Sequence, residues 1–180
     1  MDDLYIKKVC SGDRDAFRYF VKKYKDMAFS VALSVVKDEF VAQEIVQDAF
    51  VKAYRNLGSF SNKSRFSTWF YRIVTNEALM RLKKVKKELI SFTEEYPAEI
   101  ADESFLLEIA KEERAYLVNE ALQRLSPKES LVLRLFYLEE ENIKEVCEIT
   151  GWTEANTKVL LHRARKSLFT VLTQLMKTQL

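Results

Sequence analysis

Three glycines and two prolines in 180 residues leave this chain few places to break its backbone. Sheets built from hairpins need Gly, Asn or Pro at most turns, and phosphate-cradling loops need several glycines close together. Gly12, Gly58 and Gly151 are too far apart for such a loop, and Pro97 and Pro127 are just as isolated. No stretch alternates apolar and polar residues as a half-buried strand does. The expected fold class is all-α.

Apolar spacing supplies the helices. Phe17, Phe20, Val21, Tyr24, Met27, Ala28, Val31 and Val35 recur at i, i+3 or i+4, which predicts one long amphipathic helix over 13–36. Asp38 can cap a second, whose stripe runs Val41, Ile45, Ala49, Phe50, Ala53 and Leu57 and stops at Gly58. A polar loop over 59–67 separates it from a third helix over 68–87, and a short helix over 3–10 is expected before all three. Further on, a helix over 105–125 leads to Ser126-Pro127-Lys128-Glu129, which reads as a helix start: a Ser cap, Pro at the first position and Glu three residues after the cap. Helices over 143–150 and 153–177 then flank Gly151-Trp152.

Charge divides the chain in the same places. The net charge is only +2, yet residues 1–87 carry 18 Lys+Arg against 10 Asp+Glu, 88–115 carry 2 against 9, and 116–180 carry 9 against 8. Two helical domains, 1–87 and 115–180, are expected, joined by an acidic linker over 88–114 that contains Pro97. Linkers of this composition rarely order by themselves, so the domains are expected to fold separately with few contacts between them unless a partner clamps them together. The acids either solvate the connector or shield a basic face.

Several kinds of chemistry are poorly served. His162 is the single histidine, and Cys10 and Cys147 are too few and too far apart for a metal cluster or a disulfide framework. Packed thiols in a reducing, cytoplasmic setting are expected, and no cofactor is implied. No apolar run approaches the roughly 18 residues that span a bilayer, and Met1-Asp2-Asp3 does not open a basic–apolar leader. Only a carboxylate-based active site stays open, and no pattern marks one.

Two regions instead have the chemistry of nucleic-acid contacts. Residues 49–87 hold ten Lys+Arg and one acid, Glu77, which suits phosphate neutralisation. Phe50, Tyr54, Phe60, Phe66, Trp69, Phe70 and Tyr71 are interleaved with these cations, and bases freed from a duplex stack on such rings. At helical spacing aromatics are usually core, so Phe50, Tyr54, Phe70 and Ile73 are expected inside and the rings of the loop 60–67 outside. The second region, 142–166, matches a helix-turn-helix whose second helix enters the major groove, with Gly151 free to adopt positive φ at the turn. A plain helical hairpin with a solvated basic face would leave the same pattern.

Three stretches carry a resemblance: Gln43-Glu44-Ile45-Val46-Gln47-Asp48-Ala49-Phe50; Phe66-Ser67-Thr68-Trp69-Phe70-Tyr71-Arg72-Ile73 with Asn76; and Asn156-Thr157-Lys158 with His162-Arg163-Ala164-Arg165. In this order and spacing they resemble the bacterial RNA polymerase sigma factors of the extracytoplasmic-function (ECF) group, which keep sigma-70 regions 2 and 4. The resemblance covers about 12–84 and 115–168. It implies that 38–57 docks on the clamp coiled coil of core RNA polymerase through Glu44, Gln47, Asp48 and Arg55. It also implies that Phe60, Asn62, Lys63, Ser64, Arg65, Trp69 and Asn76 open and read the promoter −10 element. Asn156, Lys158, Val159, His162, Arg163, Arg165 and Lys166 would face the −35 element. Core polymerase, promoter DNA and an anti-sigma factor are the implied partners, with no membrane insertion. Leu160 departs from the family, which often has Arg there, and removes one DNA contact. The competing reading is a stand-alone helix-turn-helix regulator with a sensor domain, against which stands the basic–aromatic mixture of 49–87.

Overall fold

The computed structural model describes residues 1–88 and 111–179, and every regular element among them is helical. The helices are α1 (Asp2–Cys10), α2 (Arg18–Val36), α3 (Glu39–Asn56), α4 (Phe66–Glu88), α5 (Lys111–Arg124), α6 (Pro127–Leu133), α7 (Ile143–Thr150) and α8 (Glu154–Gln179). The acidic connector around Pro97 and the start of the helix expected from residue 105 lie outside the described residues.

Capping explains most of the boundaries. Asp38 accepts the Val41 N–H at 2.9 Å and fixes the start of α3. The long helix expected over 13–36 starts late: Asp13 accepts the Ala16 N–H at 3.1 Å and holds Arg14–Phe17 as a 3₁₀ turn, so α2 begins only at Arg18. Glu129 accepts the Ser126 N–H, and Pro127 opens α6 as the sequence predicts. Immediately after α6 the chain widens into one π-helical turn, Arg134–Leu138, before the left-handed Glu140.

The N-terminal bundle is held by aromatic rings. Phe66 and Phe70 of α4 meet Phe20 and Tyr24 of α2, and Phe70 stands 4.6 Å from Phe50 of α3. Two expectations fail here. Phe66, assigned to the exposed loop, is only 3% exposed because α4 starts two residues early and turns the ring inward. Tyr54 is 39% exposed, lying edge-on to Phe17 at the rim instead of inside.

The two halves also pack together, contrary to the expectation of separate units with few contacts. α2 lies against α6 and α4 against α7, and one contiguous apolar cluster runs through both halves. The reason lies in α4. Phe66, Phe70 and Val74 occupy one side, while Thr68, Tyr71 and Thr75 are buried about a quarter-turn or more further round, so a second surface must cover them. On the far side, Lys37 ends α2 in the left-handed conformation and donates its ammonium to the Leu122 carbonyl at 2.6 Å.

Phe70→Ala should cost about 3–5 kcal/mol, the usual range for removing a buried ring. Tyr54→Ala should cost about 1 kcal/mol, the worth of one edge contact at a rim. Urea unfolding followed by circular dichroism measures both, and equal costs would contradict the ring placement.

Candidate nucleic-acid interface

The loop between α3 and α4 is shaped by its own turn chemistry. Leu57–Ser59 form a 3₁₀ turn, and Asn62 takes a φ of 55°, a left-handed conformation that Asn tolerates better than most residues. Phe60 does not swing free. Its ring sits 5.2 Å from Trp69 and edge-on to Phe66, so the loop rests on the bundle's aromatic core. Lys63, Asn62 and Arg65 project outward.

Phe60, Asn62, Lys63, Ser64 and Arg65 come together on one wall of a cleft of about 880 Å³. Trp69 walls a smaller cleft of about 280 Å³ with Ser61, Lys63, Ser64, Thr68 and Arg72, closed on one side by Glu148 of α7. Asn76 is exposed, two turns along α4 on the same stripe as Trp69 and Arg72, and lines neither cleft. Glu77, the only acid of this basic stretch, pairs with Lys52 and ties α4 to α3.

Sequence reasoning missed the opposite wall of the large cleft, which is acidic and comes from the second half of the chain. Arg65 Nη2 lies 2.8 Å from Glu141 Oε2 and 2.9 Å from Glu145 Oε1. Thr68 Oγ1 donates to the same Glu141 oxygen at 3.3 Å, and the Tyr71 hydroxyl donates to Glu139 at 3.1 Å. Glu145 serves twice, since its other oxygen accepts the Asn142 N–H and closes the capping box of α7. The box was visible as Asn142-x-x-Glu145, but no local signal joins it to Arg65, 80 positions upstream.

At the cleft's third edge Asp2 accepts from Tyr19, Lys23 and Tyr24 at 2.6–2.7 Å. Burial would raise the Asp2 carboxyl, but these three donors together hold it below its ordinary value.

The surface of α3 that faces away from the core carries Glu44, Gln47, Asp48 and Arg55, all exposed as the apolar stripe predicts. At 100° per residue they fall in an arc of about 100°, and the same arc holds Phe40 and Val51, 82% and 48% exposed. These two were detectable as apolar positions out of phase with the buried stripe. Glu44 is ion-paired to Arg81 of α4 at 2.6 Å, so it is presented as part of a charge pair.

In the second half, α7 and α8 have helix-turn-helix geometry. Gly151 caps α7 at φ 74°, and Thr153 accepts the Asn156 N–H at the start of α8. Thr157, Leu161 and Ala164 turn inward. Asn156, Lys158, Val159, His162, Arg163, Arg165 and Lys166 are all exposed on the opposite half of the helix, away from the cleft. Lys158 pairs with Glu154 one turn earlier. Leu160 is half-buried against the core, which fits an apolar residue where a base-facing arginine would need to reach out.

Two groups between the halves are displaced from their ordinary ionisation. Burial, with help from the Glu145 charge and against the Arg65 attraction, pushes Glu141 up to about 7. Burial and the nearby Arg134 charge bring Lys37 down to about 7. Glu141 therefore takes up a proton on folding between its ordinary value and about 7, so its contribution to stability falls as pH rises through that window. Lys37 gives up a proton on folding between about 7 and its ordinary value, so its contribution rises with pH there. The contact should be weakest near neutrality. Thermal unfolding from pH 5 to 9 should show Glu141→Gln flattening the acid limb and Lys37→Met the alkaline limb; unchanged profiles would refute the assignment.

Comparison with known proteins agrees with this geometry. The Sigma-70 region 2 family matches residues 20–88 and the Sigma-70 region 4 family matches 116–168. The ECF RNA polymerase sigma factor SigW of Bacillus subtilis is 31% identical over 172 residues, covering 91% of this chain and 92% of SigW. The RNA polymerase sigma-H factor of Pseudomonas aeruginosa is 29% identical, covering 98% of this chain and 96% of its own. Among solved structures, CnrH in complex with the cytosolic domain of CnrY superposes with a TM-score of 0.65 at 21% identity, over 95% of this chain and 96% of CnrH. RpoE of Bartonella quintana, solved with the anti-sigma factor NepR, gives 0.67 at 21% identity over 87% and 96%. These two superpositions establish a shared fold.

Proposed function

Since this chain belongs to the ECF group of sigma-70 RNA polymerase sigma factors, we propose the residues through which it performs that group's task. It is a promoter-specific transcription initiation factor that works with RNA polymerase and carries helix-turn-helix DNA-binding chemistry. Matches to both regions, in order on one chain, carry that conclusion. They also leave no sensor domain for a stand-alone regulator among the matched residues.

The finer assignments are our reading. Residues 1–87 form the part that docks on core polymerase and engages the −10 element, and 115–180 the part that reads −35, with 88–114 as an acidic linker. The exposed arc of α3 docks on polymerase through Glu44, Gln47, Asp48 and Arg55, and its mixture of charge and apolar surface suits a charged helical partner. Phe40 and Val51 lengthen that surface and supply its apolar anchors. The α3–α4 loop and the start of α4 open the −10 element: Lys63 and Arg65 hold phosphates, Phe60 and Trp69 offer stacking faces, and Asn62 and Ser64 meet the freed base. Asn76 marks the upstream edge of that element. On α8, Asn156, Lys158, Val159, His162, Arg163, Arg165 and Lys166 face the −35 duplex. The protein performs this work in the cytoplasm without a catalytic site of its own, and an anti-sigma factor regulates it; the fold relative solved with the anti-sigma factor NepR supports that reading.

Two experiments test the assignments. Gln47→Ala with Asp48→Ala should weaken binding to core polymerase at least fivefold with almost no change in melting temperature, because both side chains are exposed. A large drop in melting temperature with intact binding would place them in the fold instead. For DNA, Lys158 and Arg163 stand 140° apart on α8, so one reads a base and the other sets register on a phosphate. Promoter-library transcription by Lys158→Ala and Arg163→Ala holoenzymes should show one relaxing a −35 position by about 1–3 kcal/mol and the other weakening all sequences alike. Asn62→Gly removes the side chain without straining the left-handed backbone and should shift only −10 preference. A −35 shift from the loop substitution would overturn the division.

A further inference from the structure

We propose that the carboxylates of Glu141 and Glu145, on the segment leading into α7 and on its first turn, plug the −10 strand site of the same molecule by occupying Arg65. The inference rests on the −10 assignment made above and adds a regulatory contact to it.

Four observations carry it. Arg65, at the mouth of the cleft, has one guanidinium nitrogen, Nη2, engaged by two carboxylates at 2.8 and 2.9 Å, so the charge a backbone phosphate would seek is already met by acids of the same chain. The carboxylates sit on the helix-turn-helix half, so the contact exists only when both halves are together. The pairing is not a loose surface contact: the Glu141 side chain is 1% exposed, and Thr68 also donates to it. Finally, Glu148 continues the same acidic face along α7 and walls the small cleft beside Trp69 and Arg72. While α7 is in place, an unpaired strand that approaches Arg65 or Trp69 from that side meets carboxylates first. The α8 reading face is untouched by the contact.

The plug therefore divides the two DNA-facing elements. In the closed chain the −35 reader is free and the −10 reader is blocked, so the apparent affinity for a single strand is reduced by the fraction of molecules that are open. Binding to polymerase must separate α7 from α4 before Arg65 can take a phosphate, which makes strand capture conditional on holoenzyme assembly.

The test uses the full-length chain and a fluorescein-labelled, 12-nucleotide single-stranded DNA pool of random sequence. Fluorescence anisotropy reads strand affinity and small-angle X-ray scattering reads the radius of gyration. Glu141→Gln with Glu145→Gln should bind the pool at least fivefold more tightly than a charge-matched control, Asp26→Asn with Glu120→Gln, and should have a larger radius of gyration. Arg65→Glu should also expand the chain but gain no affinity, because it loses the phosphate contact together with the latch. Equal affinity of the Gln variant and its control overturns the plug, whether or not the chain expands. Transcription with core polymerase is scored separately. If the Gln variant behaves as expected but its holoenzyme has lost promoter selectivity, the plug has failed as a pure competitor, because those carboxylates are needed in the open complex. If wild-type holoenzyme shows no promoter selectivity, the −10 assignment falls and the plug with it.

Discussion

Burial of α4 on two sides is the constraint on which the rest of this molecule depends. One side supplies Phe66 and Phe70 to the ring cluster that holds α2 and α3. The other presents Thr68 and Tyr71, whose hydroxyls need acceptors once they leave water. The carboxylates of Glu141 and Glu139 meet that need. A helix satisfied by its own bundle alone would leave the two halves independent. Because α4 is not, the loop in front of it is placed against α7, and both clefts follow from that placement.

This coupling is electrostatically unsettled. Two carboxylates, Glu141 and Glu145, share one guanidinium that is itself half-exposed. On the other flank the half-buried Lys37 ammonium donates to a neutral carbonyl oxygen. Contacts of this kind are better at choosing one arrangement than at adding stability, since desolvation cancels much of the attraction. The apolar packing between α2 and α6 supplies the adhesion, and the charged groups decide the alignment.

Much of the fold was legible in the sequence because it is local. Asp38, the Ser126-Pro127 start, the Asn142–Glu145 box and Gly151 each act within four residues, and the helices they bound fall where the spacing predicts. The exposed faces of α3 and α8 were also readable, because each is the complement of a buried stripe. What could not be read is pairing across distance. Nothing near Arg65 announces Glu141, and nothing near Lys37 announces Leu122. The linker's composition suggested two free units, since charge counts describe solvation and not the surfaces at either end. Phe66 was misplaced for a smaller reason, since α4 starts two residues before the expected position, and Tyr54 because the end of the α3 stripe reaches the rim of the bundle, where its ring lies edge-on to Phe17.

The single π-helical turn at Arg134–Leu138 takes on a further meaning in this light. Its widened bond, from the Glu139 N–H to the Arg134 carbonyl at 3.0 Å, spends one more residue than an α-turn would. That extra residue sets the phase of everything after it. It brings Glu139 and Glu141 to the same cleft, on either side of the left-handed Glu140. Losing one residue from this turn would rotate the following segment by about 100° and carry the acids away from Arg65, while the capping box and glycine turn that build the DNA-reading motif would survive. The motif and its restraint are thus separately encoded, and a length change of one residue is enough to part them.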